Sequence, residues 1–146
     1  MKRWVKFLFL LAGIGILGAV AGYIFVYNKP HPDYLKKKPE ITLTAAELHQ
    51  AYLNDEAAAS AKYNGKMIAV RGQLSDLEWH EDMVIAFFVV AEGMFGSEGV
   101  RIALLPGQAI QDISQKINST ITIKGFCTGF NDLDVILEHG SVHSNE

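Results

Sequence analysis

The sequence has one cysteine and none of the common catalytic motifs. With Cys127 as its only cysteine in 146 residues, the chain can form no intrachain disulfide and no thiolate metal cluster of its own. No G-x-S-x-G, Walker or dinucleotide-binding pattern occurs, and the glycines of GMFGSEG at residues 93–99 lack a following helix. The pairs His139/His143 and Asp132/Asp134, like the run at residues 80–82, match no known metal-ligand spacing. We therefore expect no enzyme, no cofactor and no metal.

Basic residues are scarce in the C-terminal part of the chain. From residue 40 to residue 146, six basic side chains stand against fifteen acidic ones, a formal charge of −9, although the whole chain carries only −3. An acidic domain repels phosphate backbones at long range. This charge disfavours nucleic acid as a partner.

One apolar run dominates the N-terminus. Residues 7–27 contain no charged side chain and follow Lys2, Arg3 and Lys6. At ~1.5 Å per residue, a helix of this length spans ~30 Å, the hydrocarbon thickness of a bilayer. The small residues at 19–21 fit a signal-peptide cleavage site, but the run continues past them, beyond the about 7–15 apolar residues of a typical signal. Residues 1–27 are therefore predicted to be an uncleaved membrane anchor.

The flanking charge predicts a topology. A short basic N-terminus favours the cytoplasm, although the lysines at residues 29 and 36–38 nearly balance it. We expect a single-pass protein of the bacterial inner membrane with its C-terminal domain outside the cytoplasm. Gly18 and Gly22 form a G-x-x-x-G pair that predicts a homodimer, although glycine is also simply common in membrane helices.

The remaining chain divides into a linker and one domain. Residues 28–39 hold three of the four prolines and four lysines, which is typical of an extended charged spacer. Within the domain, residues 40–146, Thr44 and Glu47 fit a capping box that opens a helix over 44–63, with a break near residues 54–55. Strands are then predicted at 66–75, 83–91, 99–105, 119–127 and 133–139, with a helix over 107–118; apolar residues alternate in these strands except in the second, which is apolar on both faces.

Three strands, a helix and two strands match a particular architecture. We expect a five-stranded Greek-key barrel of the OB type, with the helix between its third and fourth strands. Gly72 and Gly125 fall within strands, where a small barrel needs sharp coiling or a bulge.

Two segments of the domain also resemble a known family. AKYNGK at residues 61–66, continued by VRG at 70–72, resembles the opening of the bacterial tRNA-anticodon-domain-like OB-fold family. GFCTG at 125–129, followed by DVIL at 134–137, resembles its closing part. The resemblance covers about residues 42–142 and implies an OB barrel preceded by helices, in small membrane-anchored or lipoprotein chains without an assigned activity. Members often carry a second cysteine near the last strand, where this chain has residues 138–140 instead.

OB barrels usually bind ligands on the face of strands two and three, between two loops. Here those loops are residues 76–82 and 130–132. Aromatic rings with one cation could build a stacking platform there, since stacking contributes ~1–3 kcal/mol per base. In the alternative interpretation, Trp79 closes the barrel end and Phe130 caps the core. The candidate ligand-binding residues are Trp79, His80, Phe95, Arg101 and Phe130.

The surrounding charge decides between two function classes. Glu78, Glu81, Asp82 and Asp132 would surround the platform and make it a poor site for single-stranded nucleic acid. The preferred prediction is a non-enzymatic, membrane-tethered OB module that binds a protein, peptide or glycan of the cell envelope. The alternative is a single-stranded nucleic-acid-binding OB domain.

Overall fold

The computed structural model describes residues 2–27, 33–108 and 110–143. The chain divides into two compact units, Met1–Asp33 and Tyr34–Glu146. Its elements, in chain order, are α1 (Lys2–Tyr27), β1 (Ile41–Thr44), α2 (Ala45–Asn54), α3 (Glu56–Tyr63), β2 (Met67–Gln73), β3 (Asp76–His80), β4 (Met83–Gly93), β5 (Gly96–Leu104), α4 (Ile110–Ser114), β6 (Thr120–Phe130) and β7 (Asp134–Val142).

Helix α1 makes up the first unit. It has 26 residues with a mean hydropathy of 2.3 over its most apolar window, and its side chains are exposed throughout. Among the described residues it is the one helix long and apolar enough to cross a membrane, a property that a signal sequence shares. The predicted span at 7–27 lies within it. Among the described residues, none lies within 4 Å of where a Cβ would stand at Gly18 or Gly22, apart from the helix's own backbone, and the homodimer stays a prediction.

The second unit is built on one sheet of seven strands. Their hydrogen-bonded order is β1-β2-β6-β7-β5-β4-β3, with β1 and β2 parallel, β5 and β7 parallel, and the other neighbours antiparallel. The order does not close, so the predicted barrel of five strands is not found in that form. Five of the strands lie where they were predicted. Strands β1 and β3 were not predicted.

The two additional strands have a physical explanation. Strand β1 has only four residues and lies parallel to β2, a pairing that no local turn signals. Strand β3 lies in the segment predicted to be the first loop. Its buried apolar residue, Leu77, stands between two charged residues, so the sequence shows too little alternation there to predict a strand. It is a strand because it pairs with β4 over its whole length.

Two residues join β2 to β3. The Leu74 N–H donates to Ser119 O at 3.0 Å, whereas the Ser75 N–H donates to Phe87 O at 2.9 Å. The chain therefore passes from the β6 side of the sheet to the β4 side within two residues. Leu74 is fully buried at this bend.

The helix predicted over 44–63 is two helices. Thr44 and Glu47 form the expected capping box at the start of α2. Asp55 then adopts extended geometry, with φ −157°, and its side chain caps α3 by accepting from the Ala58 N–H. Gly65 follows α3 with φ +77°, which is easily adopted only by glycine and confirms the predicted stop. Helix α4 is shorter than the predicted 107–118.

The core lies between the inner side of the sheet and α2. Leu48 and Tyr52 of α2 are fully buried, as are Phe88, Ile102 and Ile123 of three different strands. Alternation along each strand sends these side chains to one face. The opposite face of β3, β4 and β5 is therefore free to carry polar groups.

The two strand glycines have different roles. The pairing of β6 with β7 shifts between Lys124 and Phe126, so Gly125 lies in a bulge as predicted. At Gly72 no such shift occurs, and a Cβ would approach Phe88 Cδ1 to 2.9 Å. Gly72 therefore makes room for the Phe88 ring.

Part of the predicted linker packs on the sheet. Residues 28–32 lie outside the described residues, but residues 34–38, here called the strap, lie against β6 and β7. The buried ammonium of Lys124 donates to the carbonyl oxygens of Leu35 and Lys37, the latter at 3.0 Å. The Tyr34 ring stacks on His139 with centroids 4.0 Å apart. These residues therefore belong structurally to the domain.

Candidate binding site

The five predicted site residues do not form one site. Phe95 and Arg101 line a common groove, whereas Trp79 and His80 line a separate pocket. Phe130 lies at the end of β6 and stacks on Tyr52, with centroids 5.4 Å apart. The five residues therefore lie at three separate locations on the domain.

The largest of these locations, here called the sheet groove, lies on the outer face of β3, β4 and β5. Its volume is about 500 Å³, within the range of known ligand pockets. The strand period of two places its side chains opposite the core. Its main lining residues are Asp76, Glu78, Phe87, Phe95, Arg101 and Asp134.

Arg101 lies at the centre of the groove and is held from three sides. Its guanidinium lies 3.9 Å from the centroid of the Phe87 ring. Its Nε donates to Asp134 Oδ2 at 2.6 Å, and its Nη1 donates to Glu78 Oε1. The second Asp134 oxygen accepts the Gly99 N–H at 2.9 Å. The guanidinium of Arg101 is therefore already neutralised by two carboxylates.

These contacts also fix the protonation of Arg101. Burial would lower the pKa of the guanidinium, but the hydrogen bonds and charges of Asp134 and Glu78 outweigh burial and raise it. Arg101 is therefore charged at neutral pH.

The sheet groove as a whole is negative. Asp76, Glu78 and Asp134 outnumber the single cation among its described lining residues. Glu92 adds a fourth carboxylate on the same face, where it accepts from the Ser97 hydroxyl at 3.0 Å. Phosphate groups entering the groove would meet these charges at short range.

Two large apolar side chains stand at the tip of the β4–β5 hairpin. Met94 is 93% exposed and Phe95 is 83% exposed. Gly96 follows them with φ +122°, a conformation that allows the tight turn. Their exposure costs free energy that no internal contact of the domain recovers, which is typical of a contact surface.

Trp79 and His80 line a smaller pocket of about 260 Å³ at the β3–β4 turn. Pro106 and Ile110 form its other wall. The Trp79 side chain is 66% exposed, so it does not close the end of the sheet as the alternative interpretation proposed. It remains free to contact a ligand.

Phe130 has a structural environment. Its ring packs between Tyr52 and the buried His49, whose Nε2 lies 2.8 Å from the Leu133 carbonyl oxygen. These contacts attach the β6–β7 turn to α2. The ring therefore supports the rim of the sheet groove without lining it.

Cys127 lies away from both pockets and is fully buried. Its Sγ is 3.3 Å from the Tyr52 hydroxyl, which donates to Asn64 Oδ1. Burial raises the pKa of the thiol, so little thiolate forms near neutral pH. Among the described residues, no three or more His, Cys, Asp or Glu side chains are close enough together to hold a metal ion.

The residues around Arg101 were not predicted as site residues. Sequence alternation placed Arg101 on the outer face, but its carboxylate partners lie 23 residues before it and 33 residues after it. Phe87 could have been found, because β4 is apolar on both faces and its outer residues need a cover. The group that covers the Phe87 ring is the Arg101 guanidinium.

Fold and groove together define a class: a sheet domain with an outer ligand-sized groove, preceded in the chain by an apolar helix. The sequence profile of the tRNA_anti-like family matches residues 1–141, and the chain belongs to that family. A comparison with curated protein sequences finds no match.

One solved structure agrees with this assignment at the level of fold, and others are more distant. A Klebsiella pneumoniae lipoprotein, provisionally described as nucleic acid-binding, superposes with a TM-score of 0.54 at 19% identity, over 80% of this chain and 100% of that one. The mitochondrial single-stranded DNA binding protein Rim1 of S. cerevisiae gives 0.33 at 9% identity, over 57% and 99%. An OBody bound to hen egg-white lysozyme gives 0.33 at 13% identity, over 57% and 85%. The likeness to the Klebsiella pneumoniae lipoprotein concerns the fold alone.

Proposed function

We propose that this protein is a non-enzymatic, membrane-tethered binding module of the OB type, whose partner is a protein, peptide or glycan of the cell envelope. The observation that carries the proposal is the sheet groove. Its one cation among the described lining residues, Arg101, is already paired with Asp134 and Glu78. The groove thus offers an exposed carboxylate, Asp76, and an exposed ring, Phe95, to a ligand.

The OB assignment rests on the bend between β2 and β3. These strands occupy opposite regions of the hydrogen-bonded order, yet only Leu74 and Ser75 separate them in the chain. Taken as two halves of one bent strand, they leave five principal strands beside the short β1. The parallel pairing of β5 with β7 supports the same Greek-key arrangement.

The proposed location follows from α1. The proposal is that α1 is retained as a single-pass anchor in the inner membrane, because its apolar run is longer than the about 7–15 residues of a typical signal peptide, with the domain outside the cytoplasm. Gly18 and Gly22 would allow two such anchors to approach closely.

Single-stranded nucleic acid is the second candidate. The shared fold with the lipoprotein described as nucleic acid-binding favours it, as do the exposed Trp79 and Phe95 rings. Against it stands the negative charge of the sheet groove, since an oligonucleotide gains most of its affinity from cations that neutralise phosphates.

A site-specific photo-crosslinker separates the two candidates. A benzophenone amino acid replaces Phe95 in the full chain, and cells are irradiated. We expect a protein- or glycan-containing adduct that resists nuclease. The matched control places the same group at Leu53, which is 50% exposed on α2, and should give none. A nuclease-sensitive adduct would overturn the proposal.

A titration provides the complementary measurement. The full chain in zwitterionic nanodiscs is titrated at low salt with a labelled single-stranded oligonucleotide of about 12 nucleotides. We expect no saturable binding. Saturable affinity that falls steeply as salt is added would establish the second candidate instead.

A further inference from the structure

The contacts of Arg101 show how this face of the sheet accommodates a cation. A guanidinium lies over one aromatic ring, Phe87, while Glu78 and Asp134 take its N–H groups. An aromatic face and carboxylates together stabilise a partly desolvated cation better than either alone. Phe87, Glu78 and Asp134 thus form one cation site of this kind, and a side chain of the protein itself, Arg101, fills it.

An aromatic ring and a carboxylate also line another part of the sheet groove, where no second cation is present among the described lining residues. Phe95 and Asp76 line the same groove, and both are exposed. One oxygen of Asp76 accepts the Leu77 N–H at 2.7 Å, which orients the carboxylate while leaving it on the surface. Glu92 extends the negative face toward the hairpin tip.

The backbone beside the groove indicates what kind of cation fits. Strand β3 is the last in the hydrogen-bonded order, so one of its edges pairs with no described strand. An extended peptide can add hydrogen bonds along such an edge while its side chains reach the adjacent groove. A free polyamine or a sugar lacks the repeating backbone N–H and C=O groups that pair with such an edge.

We infer that the sheet groove binds an extended, positively charged segment of a protein partner. An Arg or Lys side chain of that segment lies against Phe95 and pairs with Asp76, while its backbone runs beside β3. The inference rests on the proposed function and narrows its partner from protein, peptide or glycan to a basic polypeptide.

The test uses a labelled, capped hexapeptide of alternating Arg and Ala and the full chain in zwitterionic nanodiscs. Fluorescence anisotropy should show saturable binding that weakens as salt is added. The matched peptide with Glu in place of Arg should not bind. Unlabelled spermine at equal charge concentration should compete poorly, because it cannot use the edge of β3.

Variants locate the binding. Phe95→Ala should weaken peptide affinity about fivefold, as expected for a cation–π contact near the surface, and Asp76→Asn should weaken it similarly. Asp112→Asn on α4 and Leu53→Ala on α2 are exposed controls that should leave affinity unchanged.

Three outcomes would overturn the inference: no binding of the Arg peptide, equal binding of the Glu peptide, or full competition by spermine. Unchanged affinity in Phe95→Ala and Asp76→Asn would also do so. If the peptide fails while the crosslinker at residue 95 still captures a nuclease-resistant partner, only the basic-polypeptide inference falls. If the crosslinker fails as well, the proposed function falls with it.

Discussion

At the scale of single residues, Arg101 shows that a side chain predicted to bind a ligand can instead pair with carboxylates of its own domain. Alternation along β5 correctly predicted that it faces outward. Its ion-pair partners could not be predicted, because they come from β3 and β7 and meet only when the sheet forms. The same reasoning applies to Phe130, whose partners on α2 are distant in sequence.

Replacing Arg101 should therefore cost stability. Arg101→Met leaves the largely buried Asp134 carboxylate without its counter-ion, and we expect a loss of about 2 kcal/mol in the free energy of unfolding, less than for a fully buried pair. Urea denaturation of the full chain measures it. Arg71→Met, at an exposed position of β2, is the control and should change little. Equal losses in both variants would contradict a structural role for the Arg101 ion pairs.

The buried pair Cys127 and Tyr52 should make stability fall at alkaline pH. Burial raises the pKa of Cys127 above 9.0, and burial followed by the Cys127 hydrogen bond raises that of Tyr52 above 10.0. Above about pH 9 the unfolded chain loses protons that the folded chain keeps. The contribution of these two groups to stability should therefore be constant below about pH 9 and fall above it, by up to ~1.4 kcal/mol per pH unit for each group.

Urea denaturation between neutral pH and the alkaline limit of folding measures this slope. In Cys127→Ala, the free energy of unfolding should begin to fall only at the pH at which tyrosine ionises in the unfolded chain. In Tyr52→Phe, the part of the fall at this higher pH should be absent. A wild-type curve that stays flat well above pH 10 would exclude the linkage.

At the scale of elements, the sequence predicted those strands whose apolar residues alternate over many positions. Strands β2, β5, β6 and β7 meet that condition, and β4 was predicted from a continuous apolar run instead. Strands β1 and β3 are four and five residues long, and each depends on one long neighbour for its hydrogen bonds. Pairing across the sheet is a tertiary property, so local patterns do not report it.

The capping box of α2 provides a test at this scale. The Thr44 hydroxyl accepts the Glu47 N–H at 3.1 Å, and the Glu47 carboxylate accepts the Thr44 N–H at 2.8 Å. Thr44→Ala should destabilise the domain by about 1 kcal/mol. Thr42→Ala, exposed on the same strand, removes a threonine without a cap and serves as the control in thermal unfolding. If the two variants unfold alike, the cap contributes nothing.

The strap provides a second test of an element. Lys124→Met keeps the apolar stem and removes the ammonium that binds the Leu35 and Lys37 carbonyls. Amide hydrogen exchange at residues 34–38 should accelerate about tenfold, while the sheet keeps its protection. Lys116→Met, exposed after α4, should leave the exchange of both regions unchanged. Unaltered exchange of the strap in Lys124→Met would show that its aromatic contacts suffice.

At the scale of the whole molecule, an apolar helix and an acidic domain share one chain. The hydropathy of α1 could be read directly from the sequence, because a continuous apolar run needs no tertiary context. Its side of the membrane depends on a charge balance that is nearly even, so topology needs an experiment.

A phosphatase reporter fused after Glu146 tests the topology. We expect an active reporter, and protease added to spheroplasts should cleave the domain. Mass spectrometry of the membrane-extracted chain should find residues 1–27 still attached, since the apolar run exceeds that of a signal peptide. The same reporter fused to a chain that lacks residues 1–27 should be inactive. An inactive full-length fusion with a protected domain would place the domain in the cytoplasm.

The shortness of β1 and β3 has a consequence for many copies of the molecule on one surface. In the proposed membrane-tethered state, copies would meet edge to edge in two dimensions, and long bare strand edges would let neighbours join into a continuous sheet. Here the terminal strands offer only four and five residues. The carboxylates of Asp76 and Glu78 on β3 repel the same groups of a neighbour. Both features would oppose growth of such a sheet through the edges of the domain and so leave the groove accessible.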